Sequence, residues 1–159
     1  MSIVDYMSEP ERQSWVTLIA DGLVFVWFWK VMAPGWSLMP DNFSPSELGG
    51  LYLKLVIITI IYHAVISAAF ALKSRNEGLD RDERDVEIQS AGARAGYSAL
   101  QIGLGVVIVT ALLGYVIGET YTPPISLDTP VQFLFALTMV SYGADLLRHA
   151  VIVLRYRAA

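Results

Sequence analysis

The run Asp80-Arg81-Asp82-Glu83-Arg84-Asp85-Val86-Glu87-Ile88-Gln89 is the densest cluster of charge in the chain, and it stands between two long apolar hairpins. Asp80 with Arg84, and Arg81 with Asp85, fall four apart, so one helical turn sets opposite charges side by side on a solvated face. Ala91, Gly92, Ala93, Ala95 and Gly96 carry the same helix towards Tyr97 and the next apolar segment. Such small residues let another backbone come close. The spacing predicts a polar helix over 80–96 that runs on into a membrane span.

Composition supports that solvent. The chain has 159 residues, of which 55% are hydrophobic and 16% charged, and its mean hydropathy is +0.51. An ordinary soluble domain of this size carries more charge and less apolar surface. There is no cysteine, which excludes disulfides, thiolate metal sites, thioether haem attachment and a cysteine nucleophile. The net charge of −4 is modest, and with no basic stripe in the sequence direct binding of nucleic acid is not expected. Met1 to Ser14 places Asp5, Glu9 and Glu11 against Arg12, whereas a cleavable signal opens on positive charge; the segment reads as retained.

Working outward from the charged run, four spans are predicted. The first covers about 15–32 and is apolar except for Asp21 and Lys30. Its roughly 18 residues at 1.5 Å each nearly match the ~30 Å hydrocarbon layer. Trp27, Trp29 and Trp36 cluster at its far end, as in an interfacial aromatic belt, with Lys30 snorkelling there. Pro34, Gly35, Pro40, Asn42, Ser44 and Pro45 read as a loop. The second span is about 51–72 with His63 inside, and the third about 98–117 with Gly103, Gly105 and Gly114 as flat patches. Thr- and Pro-rich residues 119–130 form the second loop, in which Pro123-Pro124 blocks helix continuation. The fourth span is about 131–154. The fold class is therefore an all-α antiparallel four-helix transmembrane bundle, one domain over 1–159.

Arg12, Lys73, Arg75, Arg81, Arg84, Arg94, Arg155 and Arg157 all fall on one side of such a layout. The positive-inside rule then puts both termini and the central helix in the cytoplasm of a cell whose inner membrane holds the chain. The tetrapeptide His-Ala-Val-Ile occurs at His63 to Ile66 and at His149 to Ile152. Parallel duplication is one explanation; with little else aligned, coincidence in a chain rich in these residues is the simpler one.

Ionisable residues inside a span each cost about 2.5–3.5 kcal/mol at the centre of an isolated helix, so each should face a neighbour or water. Asp21, Asp145, Arg148 and His149 form the candidate network. Asp145 and Arg148 lie three apart on one helical face, and Asp21 sits at a comparable depth, about 10 Å from the same membrane face. The plainest reading is an ion pair that fixes helix packing; a proton or ion pathway and simple snorkelling are the others. His63 and His149, on different spans, are the minimum set for a b-type haem with two axial imidazoles, although they differ in depth by roughly 6 Å. No metal site is expected, since catalytic zinc normally takes three protein ligands. Nucleotide-binding loops, nucleophile elbows and metalloprotease helices are absent from the sequence, and no catalytic residue is assigned.

Asp82-Glu83-Arg84-Asp85, followed by Ile88, Ala91, Ala95 and Tyr97, resembles a group of uncharacterised small four-span membrane proteins of bacteria and archaea. In these an Asp-Glu-Arg-Asp-x-x-Ile pattern precedes small residues and an aromatic before a span. The resemblance implies that the cytoplasmic face is an interaction surface, since some similar proteins are thought to hold or release helix-turn-helix regulators. Gly96 beside Tyr97 departs from that pattern. The expectation is a non-catalytic accessory or regulatory protein acting through Asp82, Glu83, Arg84, Asp85 and Ile88, without a cofactor. Its expected partners are lipid, further copies of itself or a larger membrane complex, and a soluble regulator. The alternatives are a small proton- or ion-linked transporter or channel, and a bis-histidine haem b electron carrier.

Overall fold

The computed structural model describes residues 7–77, 83–117 and 127–158. Among them are four long helices and no strand: α1 (Glu9–Met32), α2 (Pro45–Glu77), α3 (Glu83–Ile117) and α4 (Pro130–Ala158). A single 3-10 turn, Pro34–Trp36, follows α1. Asp80, Arg81 and Asp82 of the charged run lie outside the described residues, as does the Pro123-Pro124 turn.

The starts of α1, α2 and α4 are written in the sequence. Ser8 caps α1, accepting a hydrogen bond from the Glu11 amide, with Glu9 and Glu11 in the positive first turn and Lys30 in the last; these signs complement the helix dipole. α2 opens on a reciprocal cap. The Ser44 amide donates to Glu47 Oε2 at 2.9 Å, while the Glu47 amide donates to Ser44 Oγ at 3.4 Å. α4 repeats the device with Thr129 and Gln132, at 3.0 and 3.3 Å. In both, proline follows the cap, where its missing N–H costs nothing. The capping box moves the start of α2 to Pro45, ahead of the expected span at 51.

The loop after α1 turns through Gly35 and Trp36, both at positive φ (76° and 62°). Glycine accepts that region freely; Trp36 does so against steric preference. Around it, Trp29 Nε1 donates to the Ser37 carbonyl at 2.8 Å, and the Trp29 and Trp36 rings meet edge to face at 5.7 Å.

α4 is the central helix, packed along α3 on one side and α1 on the other, while α2 leans on α1. Side-chain bonds also tie α2 to α4: Tyr52 shares one with Thr138 at 2.9 Å, and Thr59 shares one with Tyr142. The α3–α4 seam is set by small residues on one face of α3. A Cβ on Gly92 would stand 2.3 Å from Ile152, and one on Gly96 would stand 2.8 Å from Arg148 Cβ. One on Gly103 would meet Val140 at 2.5 Å. Backbones meet there because nothing projects between them.

Burial is inverted relative to a water-soluble bundle. Among the fully buried side chains are Asp21 and Ser14, with Glu11 and Thr17 close behind, whereas Leu23, Ile60, Ile102, Tyr115 and Val116 are exposed. At the loop end the interior is instead an aromatic and aliphatic plug of Phe28, Met32, Leu55 and Phe135, with the Phe28 and Phe135 rings stacked at 6.1 Å. All four helices are long and apolar enough to cross a bilayer. An apolar surface wrapped round polar groups is stable only where the surrounding solvent is hydrocarbon. The chain is an all-α, multi-pass membrane protein.

α3 is 35 residues long, about 52 Å, against the ~30 Å of a hydrocarbon layer. The expected polar helix and third span are therefore one rod, whose first turns extend beyond the apolar stretch and lie along the end of α4.

Candidate functional site

Three helices each present a polar stripe to the interior. α1 contributes Glu11, Ser14, Thr17 and Asp21, all buried, at spacings of one helical turn. α4 contributes Thr138, Tyr142, Asp145 and His149, also one turn apart, and α2 contributes Tyr52, Thr59, Tyr62 and His63. From Glu11 to Asp21 the helix rises roughly 15 Å, and from Tyr52 to Tyr62 on α2 it again rises roughly 15 Å. Asp21 and Tyr62 meet. Polar side chains thus recur over about 30 Å, the depth of a hydrocarbon layer, with Asp21 near the middle and with buried Leu55 interrupting the series between Thr59 and Tyr52.

Asp21 is 1% exposed. Its Oδ1 accepts from the Tyr62 hydroxyl and lies 3.3 Å from His63 Nε2. Its Oδ2 is buried without a hydrogen-bond partner, as is Nδ1 of His149. Asp21, Asp145 and His149 each bring a carboxylate oxygen or ring nitrogen within 4.8 Å of the others. On α4 itself, His149 Nε2 stands 4.0 Å from Asp145 Oδ2, and Arg148 Nη1 stands 3.9 Å from Asp145 Oδ1. Two carboxylates this close, one of them buried and the other 34% exposed, favour a proton or a cation between them.

Of the expected network, Asp21, Asp145 and His149 are brought together, and Arg148 stays at the margin. Its side chain is 46% exposed, while its stem packs over Gly96. His63 joins the same cluster. Both imidazole Nε2 atoms face carboxylates of the bundle, so an iron taking both would have to displace those partners. The expectation of no metal ligands rested on counting histidines; the fold supplies carboxylates from two other positions. Tyr62, Tyr142, Thr59, Ser14 and Thr17 were not anticipated. Their signal was available as polar residues at 3–4 residue intervals inside apolar helices.

At the terminal end, Arg157 Nε contacts Glu11 Oε1 at 2.9 Å, although its N–H is not aligned for a hydrogen bond to that oxygen. Tyr156, beyond the apolar segment of α4, donates to Asp85 Oδ1 at 2.6 Å. Burial first, then the Asp85 carboxylate, raises the pKa of that phenol and keeps it a donor. Of the expected docking residues, Glu83 and Arg84 are exposed, and so is Glu87. Asp85 is engaged with Tyr156. Ile88 is 5% exposed, one turn before Gly92 on the face turned to α4, so in this chain it is a packing residue. Asp82 lies outside the described residues.

No family model matches the chain, and neither the curated proteins nor the solved structures contain a match to it.

Proposed function

We propose that this multi-pass membrane protein moves protons or cations across the bilayer through the cluster of Asp21, Asp145, His63 and His149. The single observation behind this reading is the position of Asp21, fully buried midway along a ladder of polar side chains as long as a hydrocarbon layer is thick. A carboxylate costs too much there to serve only as a spacer, since Asn or Ser at the same position would hold Tyr62 more cheaply. Hydroxyl and carboxyl groups continue from it towards Glu11 and Arg157 at one end; at the other, Thr59 and Tyr142 lead to the apolar plug of Phe28, Leu55 and Phe135, beside which Tyr52 bonds Thr138. The protein resides in the inner membrane with both termini in the cytoplasm, because its basic residues gather at the terminal end. Purified protein reconstituted with a pH-sensitive dye should dissipate an imposed proton or cation gradient, and Asp21→Asn should slow that at least tenfold. Flux equal to protein-free liposomes would remove the reading.

A second reading, of an accessory or regulatory protein, rests on Glu83, Arg84 and Glu87, which project outward from the first turns of α3. Reversing charge with Glu83→Lys and Arg84→Glu should strip a co-purifying partner without affecting insertion. An unchanged set of co-purifying proteins would count against it.

A further inference from the structure

We propose that Asp21, Asp145 and His149, with His63 alongside, bind a divalent transition-metal cation in the middle of the bundle. This names the cation of the transport reading and rests on that reading for the ion's role, though not for its binding.

The donor set is built from two helices, with Asp21 fully buried, His149 13% exposed and Asp145 34% exposed at its margin. Its atoms stand within 4.8 Å of one another; ligands sharing one zinc-sized ion at about 2.0–2.2 Å would lie roughly 3.4 Å apart. Closing that gap asks for atom movements of roughly 1 Å, within the reach of side-chain rotation. Asp21 Oδ2 is a buried polar atom left without a hydrogen bond, while His149 faces the carboxylates through Nε2. A bound ion is one of the ways such a group is satisfied. Oδ1 of the same Asp21 is already held by Tyr62 and near His63 Nε2, the kind of outer support that fixes a metal-binding carboxylate.

Charge points the same way. Two carboxylates meet here, and among the described residues the guanidinium beside them, Arg148, is half exposed at 3.9 Å. A divalent ion balances both acids where a single shared proton balances one. Imidazole with carboxylate favours first-row transition ions over magnesium or calcium, which prefer oxygen alone.

The test uses the full chain in detergent, stripped with chelator and titrated with Co²⁺. One equivalent per chain should bring up visible d–d absorbance, removable by Zn²⁺ and not by Mg²⁺. Asp21→Asn, Asp145→Asn and His149→Gln should each weaken binding at least tenfold, and Lys54→Gln, on an exposed face, should leave it unchanged. Because the wild-type spectrum is itself decisive, a variant that fails to fold does not shelter the proposal. Saturable Co²⁺ binding without flux in liposomes would keep the site and remove the transport reading. Proton flux by wild-type protein that shows no d–d band would keep transport and overturn the site, as would wild-type affinity in the Asp21 and Asp145 variants.

Discussion

Nε2 of His63 stands 3.3 Å from Oδ1 of Asp21, joining the middle of α2 to the middle of α1 through an imidazole that is 39% exposed and a carboxylate that is buried. The Tyr62 hydroxyl reaches the same oxygen from the preceding residue. Two consecutive side chains of α2 therefore converge on one carboxylate, and the helix pair is held by polar contacts where a soluble bundle would use leucine.

Removing the Tyr62 hydroxyl tests that bond directly. A hydrogen bond to a charged group is worth about 1.5–3 kcal/mol, so Tyr62→Phe should lower Tm in detergent by roughly 3–12 °C. Differential scanning fluorimetry reads it; an unchanged Tm would mean that Asp21 is held without this donor.

The α3–α4 seam separates glycines that matter from glycines that do not. Gly92→Ala and Gly96→Ala place a methyl against Ile152, Arg148 and backbone carbonyls at under 3.2 Å, and overpacking of this kind costs about 1–3 kcal/mol. Gly105 and Gly114 have nothing within 4 Å of an added Cβ. Alanine there should be neutral or stabilising by up to about 1 kcal/mol through helix propensity. Chemical denaturation of the four variants should split them two against two.

Tyr156→Phe should release the start of α3 from the end of α4. Amide exchange over 83–90 should then quicken severalfold while exchange over 98–112 stays as it was. Uniform protection in the variant would show that Gly92 and Ile152 hold that segment alone.

The chain lacks cysteine, so single-cysteine variants report cleanly. Spin labels at Leu23, Ile60 and Val116, all exposed apolar positions, should meet oxygen dissolved in lipid and be shielded from a water-soluble relaxer. A label at Glu87 should show the reverse. In intact cells, a membrane-impermeant maleimide that modifies Glu87→Cys from outside would invert the proposed orientation.

Changing both members of the α4 cap to alanine, Thr129 and Gln132, should cost about 1–2 kcal/mol and fray the first turn. Thr129→Ser should retain the cap. Equal stability of the two variants would show that the loop end of α4 is held by packing instead.

Four spans and the single rod made of charged helix and third span were legible in the sequence, because each depends on local terms: run length, mean apolarity and proline punctuation. Asp21, Asp145 and His149 could be singled out for the same reason, since charge inside an apolar run is conspicuous wherever the run lies. What they face was decided only by tertiary structure. The rotation of each helix about its axis and its neighbours in the bundle determine that His63 and Tyr62 meet Asp21, that Arg148 turns outward, and that Ile88 goes inside. Those rotations are set by glycines that admit a backbone and by polar stripes that have no other place to hide from lipid. Such terms belong to pairs of helices and have no expression in any one of them.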